Sequence, residues 1–130
     1  MNDYVVDTHA LYWYLTNSPL LGTNASQAFD EADQGNALIY IPAIVLVELY
    51  YLNAKKGNPL NFAAEYQRLS QSAQFILLPF MPEDVLEFDA NARVPEMHDR
   101  MIAGVAKRLG IPCLTMDKEI VGSGIIAVVW

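Results

Sequence analysis

The chain has 130 residues, of which 53% are hydrophobic, a size and composition that suit one compact domain with its own core. Its formal net charge of −7 argues against unselective, tight nucleic-acid binding, which depends on Lys and Arg to neutralise phosphates, and suits a basic protein partner. The single cysteine, Cys113, excludes an internal disulfide and is typical of a small buried side chain. We therefore expect residues 1–130 to form a single domain.

Two features argue against export or membrane insertion. Asp7 comes too early for a secretory leader. The longest apolar stretch, 38–52, is shorter than the roughly 20 residues that a bilayer requires, and it contains Pro42 and Glu48. The sequence therefore predicts a cytoplasmic protein that makes no use of a membrane.

Strand and helix signals alternate along the chain, which predicts an α/β domain with a mainly parallel sheet. Strands are predicted at residues 3–6, 37–41, 75–78, 113–116 and 125–129. Helices are predicted at residues 8–15, 24–33, 42–56, 59–71, 82–91 and 99–109. Thr8 is expected to cap the first helix, and Thr23 or Asn24 the second.

Four carboxylates lie at the ends or on the faces of these apolar elements. Asp7 and Asp117 each follow a predicted strand, and Asp99 begins an amphipathic helix. Glu48 is the only charged residue between positions 39 and 54, where a carboxylate costs several kcal/mol unless it is paired or bound to a metal. Ligands bind at the carboxyl ends of strands in open α/β sheets, so Asp7 and Asp117 are expected to meet there.

Carboxylate oxygens are the ligands that Mg²⁺ and Mn²⁺ prefer, so this set predicts one acidic pocket for a divalent cation. Each residue also has a simpler interpretation. Asp7, Asp99 and Asp117 are all at positions where an aspartate caps a helix, and Glu48 is where a salt bridge to Arg or Lys would form. Glu48 reaches the pocket only if its helix crosses the end of the sheet.

The sequence around these acids resembles the PIN-domain ribonucleases, in particular the VapC-like toxins of type II toxin–antitoxin pairs. The resemblance rests on the order and spacing of four segments across the whole chain. These segments are Val5-Val6-Asp7-Thr8-His9-Ala10-Leu11, Ile41-Pro42-Ala43-Ile44-Val45-Leu46-Val47-Glu48-Leu49, His98-Asp99 and Leu114-Thr115-Met116-Asp117.

This resemblance implies a three-layer α/β/α sandwich and a Mg²⁺- or Mn²⁺-dependent endoribonuclease that leaves a 5′-phosphate and a 3′-hydroxyl. Asp7 and Asp99 would be the main metal ligands, while Glu48 and Asp117 would bind the metal directly or through water. Thr115 would place a hydroxyl near the metal, and Thr8 would support the site. Expected partners are an RNA substrate, a small antitoxin and a second copy in a homodimer.

The chain departs from the family pattern at Pro42, where many relatives carry Ser, and in its overall acidity. Two other functions remain open: a PIN-like binding module without catalysis, and a phosphotransfer domain with an aspartyl nucleophile. Against the second, Asp7-Thr8-His9 lacks the second Asp that a haloacid-dehalogenase-like site would show.

Other side chains are candidates for supporting roles. Arg93 and Arg100 are expected beside the pocket as phosphate contacts, and His9 and His98 in turns or behind the metal ligands. At least one tyrosine of the pair Tyr50-Tyr51 is expected in the core, and the other, with Phe62 or Tyr66, in a dimer or antitoxin surface.

Overall fold

The computed structural model describes residues 2–130. Its strands are β1 (Asn2–Val6), β2 (Ala37–Pro42), β3 (Phe75–Leu78), β4 (Cys113–Leu114) and β5 (Val128–Val129). Its α-helices are α1 (Thr8–Leu15), α2 (Thr23–Asp33), α3 (Ala43–Lys55), α4 (Phe62–Gln71), α5 (Met97–Leu109) and α6 (Lys118–Ser123). A 3₁₀ helix covers Pro82–Glu87. Within residues 2–130 no helix is long and apolar enough to span a bilayer.

The five strands form one parallel sheet in the order β3-β2-β1-β4-β5. From β1 the chain moves outward through β2 and β3, and it then returns to place β4 on the other side of β1. The strand order therefore reverses between β1 and β4, and open α/β sheets bind their ligands at such a reversal. Asp7 follows β1 and Asp117 lies just beyond β4.

Helices cover both faces of the sheet, which confirms the predicted three-layer α/β/α sandwich. Val5 and Val6 in β1 are both fully buried although they point to opposite faces, as expected for a strand enclosed on both sides. The core between sheet and helices includes Leu11, Phe29 and Leu49. This packing fixes the positions of the strand ends on which the acidic residues lie.

Several predicted boundaries shift by one or two residues, the usual uncertainty at element ends. The predicted strand 125–129 is shorter than expected, because pairing with β4 covers only Val128 and Val129. A larger difference occurs at the predicted helix 59–71, which begins at Phe62. The Asn53 side chain both donates to Leu60 O (2.9 Å) and accepts from Leu60 N (3.0 Å), and this holds the preceding turn out of helical geometry. Asn61 then caps α4 by accepting from Ala64 N.

Two further predictions need correction. The predicted helix 82–91 is a short 3₁₀ helix followed by turns. The predicted strand 113–116 ends at Leu114, after which the chain turns into α6, a helix that the sequence analysis missed. Asp117 starts this helix by accepting from Glu119 N (3.0 Å) and Ile120 N (3.1 Å) through Oδ1.

The predicted N-caps of the first two helices are also wrong. Asp7, not Thr8, caps α1, because its Oδ1 accepts from Ala10 N at 3.0 Å. Gly22, rather than Thr23 or Asn24, occupies the N-cap position of α2 and makes no side-chain cap. The correction at Asp7 matters for the site, because the same carboxylate that begins α1 also faces the strand reversal.

Candidate active site

A cavity of about 570 Å³ opens at the carboxyl ends of β1 and β4. Its lining combines carboxylates with apolar and aromatic side chains: Asp7, Thr8, His9, Trp13, Glu48, Leu52, Glu96, Asp99, Ile102, Met116 and Asp117. All four carboxylates singled out from the sequence are in this set. The cavity also contains Glu96, which the sequence analysis did not identify.

Asp7 is the most enclosed of these acids, with 8% of its surface exposed. Its Oδ1 accepts a hydrogen bond from Ala10 N, and its Oδ2 accepts one from the Thr115 hydroxyl. Burial raises the pKa of Asp7 because the charged form loses water, while the Thr115 and Ala10 hydrogen bonds oppose that rise. A buried carboxylate held by two donors has a fixed orientation, as a metal ligand requires.

Thr115 links Asp7 to Asp117. Its side chain is fully buried, and its Oγ1 accepts from Asp117 N at 3.0 Å while donating to Asp7. Both cap hydrogen bonds of Asp117 fall on one oxygen, Oδ1. Asp117 is therefore a helix cap, the simpler interpretation from sequence, and also a wall of the cavity.

Glu48 reaches the cavity from the middle of α3, so this helix does cross the end of the sheet. Its Oε1 accepts from the Thr8 hydroxyl at 2.7 Å, and its Oε2 lies 3.6 Å from His98 Nδ1. Residues 2–130 provide no Lys or Arg partner for Glu48. Glu48 therefore does not form the salt bridge to Arg or Lys that was its simpler interpretation from sequence.

Asp99 lies in the first turn of α5, which begins two residues earlier than predicted. Its N–H donates to Oε2 of Glu96, the N-cap, at 2.8 Å. Burial, and after it the negative charges of Asp117, Glu96, Glu48 and Asp7, together raise the pKa of Asp99 to about 7. The carboxylates are thus close enough to repel one another.

Glu96 has a second partner in His98, whose Nδ1 lies 2.9 Å from Glu96 Oε1. Burial acts to raise the pKa of Glu96, but hydrogen bonds from the backbone of Asp99 and His98 outweigh it and leave the pKa lowered. Glu is not among the favoured N-cap residues, so cap rules gave no signal for it. The usable signal was its position three residues before Asp99 at a helix start.

The two arginines proposed from sequence do not line this cavity. Arg100 turns away and donates to Val94 O at 2.7 Å and to Phe88 O at 3.4 Å. Arg93 lies over α6, where its Nη1 donates to Ser123 O at 3.5 Å. Expecting both at the pocket was wrong, because the guanidinium groups satisfy backbone carbonyls of the 88–95 turns and of α6.

The donor chemistry of the cavity fits a hard divalent cation such as Mg²⁺ or Mn²⁺, since five of its lining residues carry carboxylates and their mutual repulsion favours a positive ion. In the part of the chain that the structure describes, no three His, Cys, Asp or Glu side chains converge tightly enough to hold a metal ion. The carboxylates therefore surround the cavity without closing a coordination sphere.

An α/β fold with acidic side chains at its strand reversal defines a recognisable class of protein. Residues 4–121 match the family model for the PIN domain, and the chain belongs to that family. A comparison with curated protein sequences found no match.

Three solved structures illustrate how closely the fold is shared. VapC20 of Mycobacterium tuberculosis, described as a sarcin–ricin-loop-cleaving toxin, superposes with a TM-score of 0.73 at 13% identity, covering 98% of this chain and 99% of that one. VapBC2 of Rickettsia felis, solved bound to a promoter DNA fragment, superposes with a TM-score of 0.71 at 19% identity, covering 97% of this chain and 96% of that one. FitAcB of Neisseria gonorrhoeae superposes with a TM-score of 0.66 at 22% identity, covering 96% of this chain and 95% of that one. At these identities the likeness concerns the fold.

Proposed function

We propose that the protein is a divalent-metal-dependent endoribonuclease and the toxin of a toxin–antitoxin pair, acting as one domain in the cytoplasm. The observation that carries this proposal is that Asp7, Glu48, Asp99 and Asp117, distant in sequence, line one cavity. Membership of the PIN family and the fold shared with VapC toxins support it. The RNA substrate, the metal and the residue roles belong to the proposal.

In this proposal Asp7 and Asp99 are the main ligands of Mg²⁺ or Mn²⁺, and Glu48 and Asp117 bind it directly or through water. The bound cation supplies charge neutralisation at the scissile phosphate and activation of a water molecule. Thr115 fixes the Asp7 carboxylate, and Thr8 fixes Glu48. Glu48 and Asp117 orient the attacking water, and the products carry a 5′-phosphate and a 3′-hydroxyl.

The test is cleavage of a mixed RNA pool by purified protein in Mg²⁺ or Mn²⁺ and in EDTA. We expect cleavage that requires metal and is lost in Asp99→Asn. Asp89→Asn is the matched control, because Asp89 is exposed and lies outside the cavity. Equal cleavage in EDTA, or by Asp99→Asn, would contradict the proposal. An absence of both cleavage and metal binding would favour the binding-module alternative.

We further propose that an aromatic face on α3 and α4 forms the contact between two copies in a homodimer. This face is lined by Leu46, Val47, Tyr50, Tyr51, Phe62 and Tyr66. The expectation that one of the two tyrosines lies in the core was wrong, because Tyr50 and Tyr51 leave 53% and 68% of their surfaces exposed. Exposed adjacent aromatic side chains of this kind commonly mark a contact surface. The small antitoxin is the other candidate for this face, and the acidic cavity suits a basic segment of such a partner.

A further inference from the structure

The lining of the candidate active-site cavity mixes two kinds of side chain. Beside the carboxylates it includes five side chains with apolar or aromatic surface, here named the apolar wall: His9, Trp13, Leu52, Ile102 and Met116. The cavity volume of about 570 Å³ lies within the range of roughly 300–1,000 Å³ that is typical of small-molecule sites. Such a volume accommodates a planar group as well as a phosphate.

The aromatic part of that wall is held firmly. The ring centroids of His9 and Trp13 are 5.4 Å apart, and Trp130 packs against Trp13 from another direction at 5.6 Å. Trp130 can approach because residue 22 is glycine, where an added Cβ would lie 2.6 Å from Trp130 atoms. A rigid aromatic surface loses little conformational entropy when it binds a ligand.

Part of this wall is open to solvent beside the charges. His9 is exposed, and Met116, at the mouth of the cavity, has 50% of its surface exposed. When a flat ring packs against exposed aromatic and thioether groups, apolar surface is buried and the free energy falls. The ring does not have to carry a charge for this contact to be favourable. The wall is therefore suited to a neutral planar ligand.

The charge of the cavity makes this wall important for a nucleic-acid substrate. None of its lining residues within 2–130 is Lys or Arg, and the carboxylates repel phosphates. Proteins commonly obtain their nucleic-acid affinity from phosphate contacts, and in this cavity the proposed cation, not a Lys or Arg side chain, would neutralise a phosphate. Stacking of bases on aromatic side chains is a second source of affinity, and it tolerates different bases.

We propose that the His9–Trp13 wall binds an unpaired nucleobase by stacking, next to the bond that is cleaved. This inference rests on the proposed ribonuclease function and adds to it two residues, His9 and Trp13, that would position the substrate.

The first test compares two fluorescein-labelled probes with the same number of phosphates, a 12-residue oligouridine and its abasic ribose counterpart. Affinities are measured by fluorescence anisotropy in Mg²⁺, with gels to confirm that the probes stay intact. We expect the abasic probe to bind about 5- to 100-fold more weakly, the range that stacking of one base supplies.

The second test uses variants of the wall. Trp13→Leu keeps an apolar side chain without a π face, whereas Trp13→Phe keeps a smaller aromatic ring. We expect Trp13→Leu and the exposed variant His9→Ala to lose affinity for oligouridine, and Trp13→Phe to retain most of it. Leu86→Ala, which shortens an exposed apolar side chain that lines neither the cavity nor the aromatic face, should bind like the wild type.

A spectroscopic readout separates stacking from an effect on folding. In Trp130→Phe, Trp13 is the only tryptophan, so its fluorescence reports directly on the wall. Quenching by oligouridine but not by the abasic probe is expected. If the wild type cleaves RNA with metal yet binds both probes equally, the stacking proposal is wrong and the ribonuclease proposal stands. If it neither binds nor cleaves RNA, both proposals are wrong.

Discussion

The Thr8 hydroxyl donates a 2.7 Å hydrogen bond to Glu48 Oε1, joining the first turn of α1 to the middle of α3 across 40 residues of sequence. This bond fixes one oxygen of the carboxylate and leaves the other, Oε2, facing His98 Nδ1 at 3.6 Å. A group that orients a metal ligand in this way usually affects metal affinity or activity when it is removed.

Thr8→Val keeps the shape of the side chain and removes the donor. We expect metal-dependent RNA cleavage to fall by about 10- to 100-fold, because Glu48 loses its fixed orientation. Thr8→Ser retains the hydroxyl and should keep most of the activity. Metal titrations followed by cleavage rates check this, and equal activity of the Val and Ser variants would contradict the role of the hydrogen bond.

The pKa of Asp99 predicts how the metal-free protein responds to pH. Because this pKa is raised to about 7, the folded state holds a proton that the unfolded chain releases from about pH 4 upward. The contribution of Asp99 to the free energy of unfolding is therefore fully present at low pH and is lost as the pH rises through 7. Urea unfolding in EDTA should show stability falling between about pH 4 and 7 and levelling off above that range.

Asp99→Asn should flatten this pH dependence, since the substituted side chain cannot ionise. Adding Mg²⁺ or Mn²⁺ at pH 8 should restore stability to the wild type more than to the Asn variant, because a cation replaces the proton. Stability that rises with pH in EDTA, or an unchanged slope in Asp99→Asn, would show that repulsion among the cavity carboxylates is weak.

Thr115 offers a test of the buried hydrogen bonds behind the cavity. Thr115→Val removes the donor to Asp7 Oδ2 and the acceptor of Asp117 N, leaving buried polar groups without partners. We expect a loss of about 1–3 kcal/mol in the free energy of unfolding, measured in urea. Thr115→Ser preserves both bonds and is the control; a Val variant as stable as the Ser variant would contradict the expectation.

Arg100 can be tested for two roles, stabilising the fold and contacting RNA. Its hydrogen bonds to the carbonyls of Val94 and Phe88 hold the turns that lead into α5. Arg100→Met should lower the free energy of unfolding by about 1–3 kcal/mol, because those carbonyls lose a charged donor. The salt dependence of RNA binding should stay unchanged, and a shallower salt slope would restore Arg100 as a phosphate contact.

The aromatic face on α3 and α4 predicts the oligomeric state. Tyr51→Glu places a charge at the most exposed ring of this face, which would be buried in a homodimer. We expect the purified wild type to sediment as a dimer and the variant as a monomer whose far-ultraviolet circular dichroism shows the same helix content. A wild type that is monomeric alone, and associates only with its antitoxin, would assign the face to that partner.

Much of the fold could be predicted from sequence because the apolar periodicity is local. The strand Phe75–Leu78 and the helix Thr8–Leu15 appear where the patterns place them. The weak points are segments decided by side chains from elsewhere. Asn53 shapes the turn before α4, and Arg100 holds the turns before α5, so neither turn could be derived from its own residues.

The sequence by itself determined the parallel α/β architecture, three acids at element ends and a fourth inside an apolar helix, because alternating apolar segments and isolated charges are properties of the chain. Only the tertiary structure decided which side chains share a cavity. It brought Glu96 and Trp13 to the acids and took Arg93 and Arg100 away, because such proximity depends on how α3 and α5 cross the end of the sheet. Packing between distant segments sets that crossing, and no local pattern encodes it.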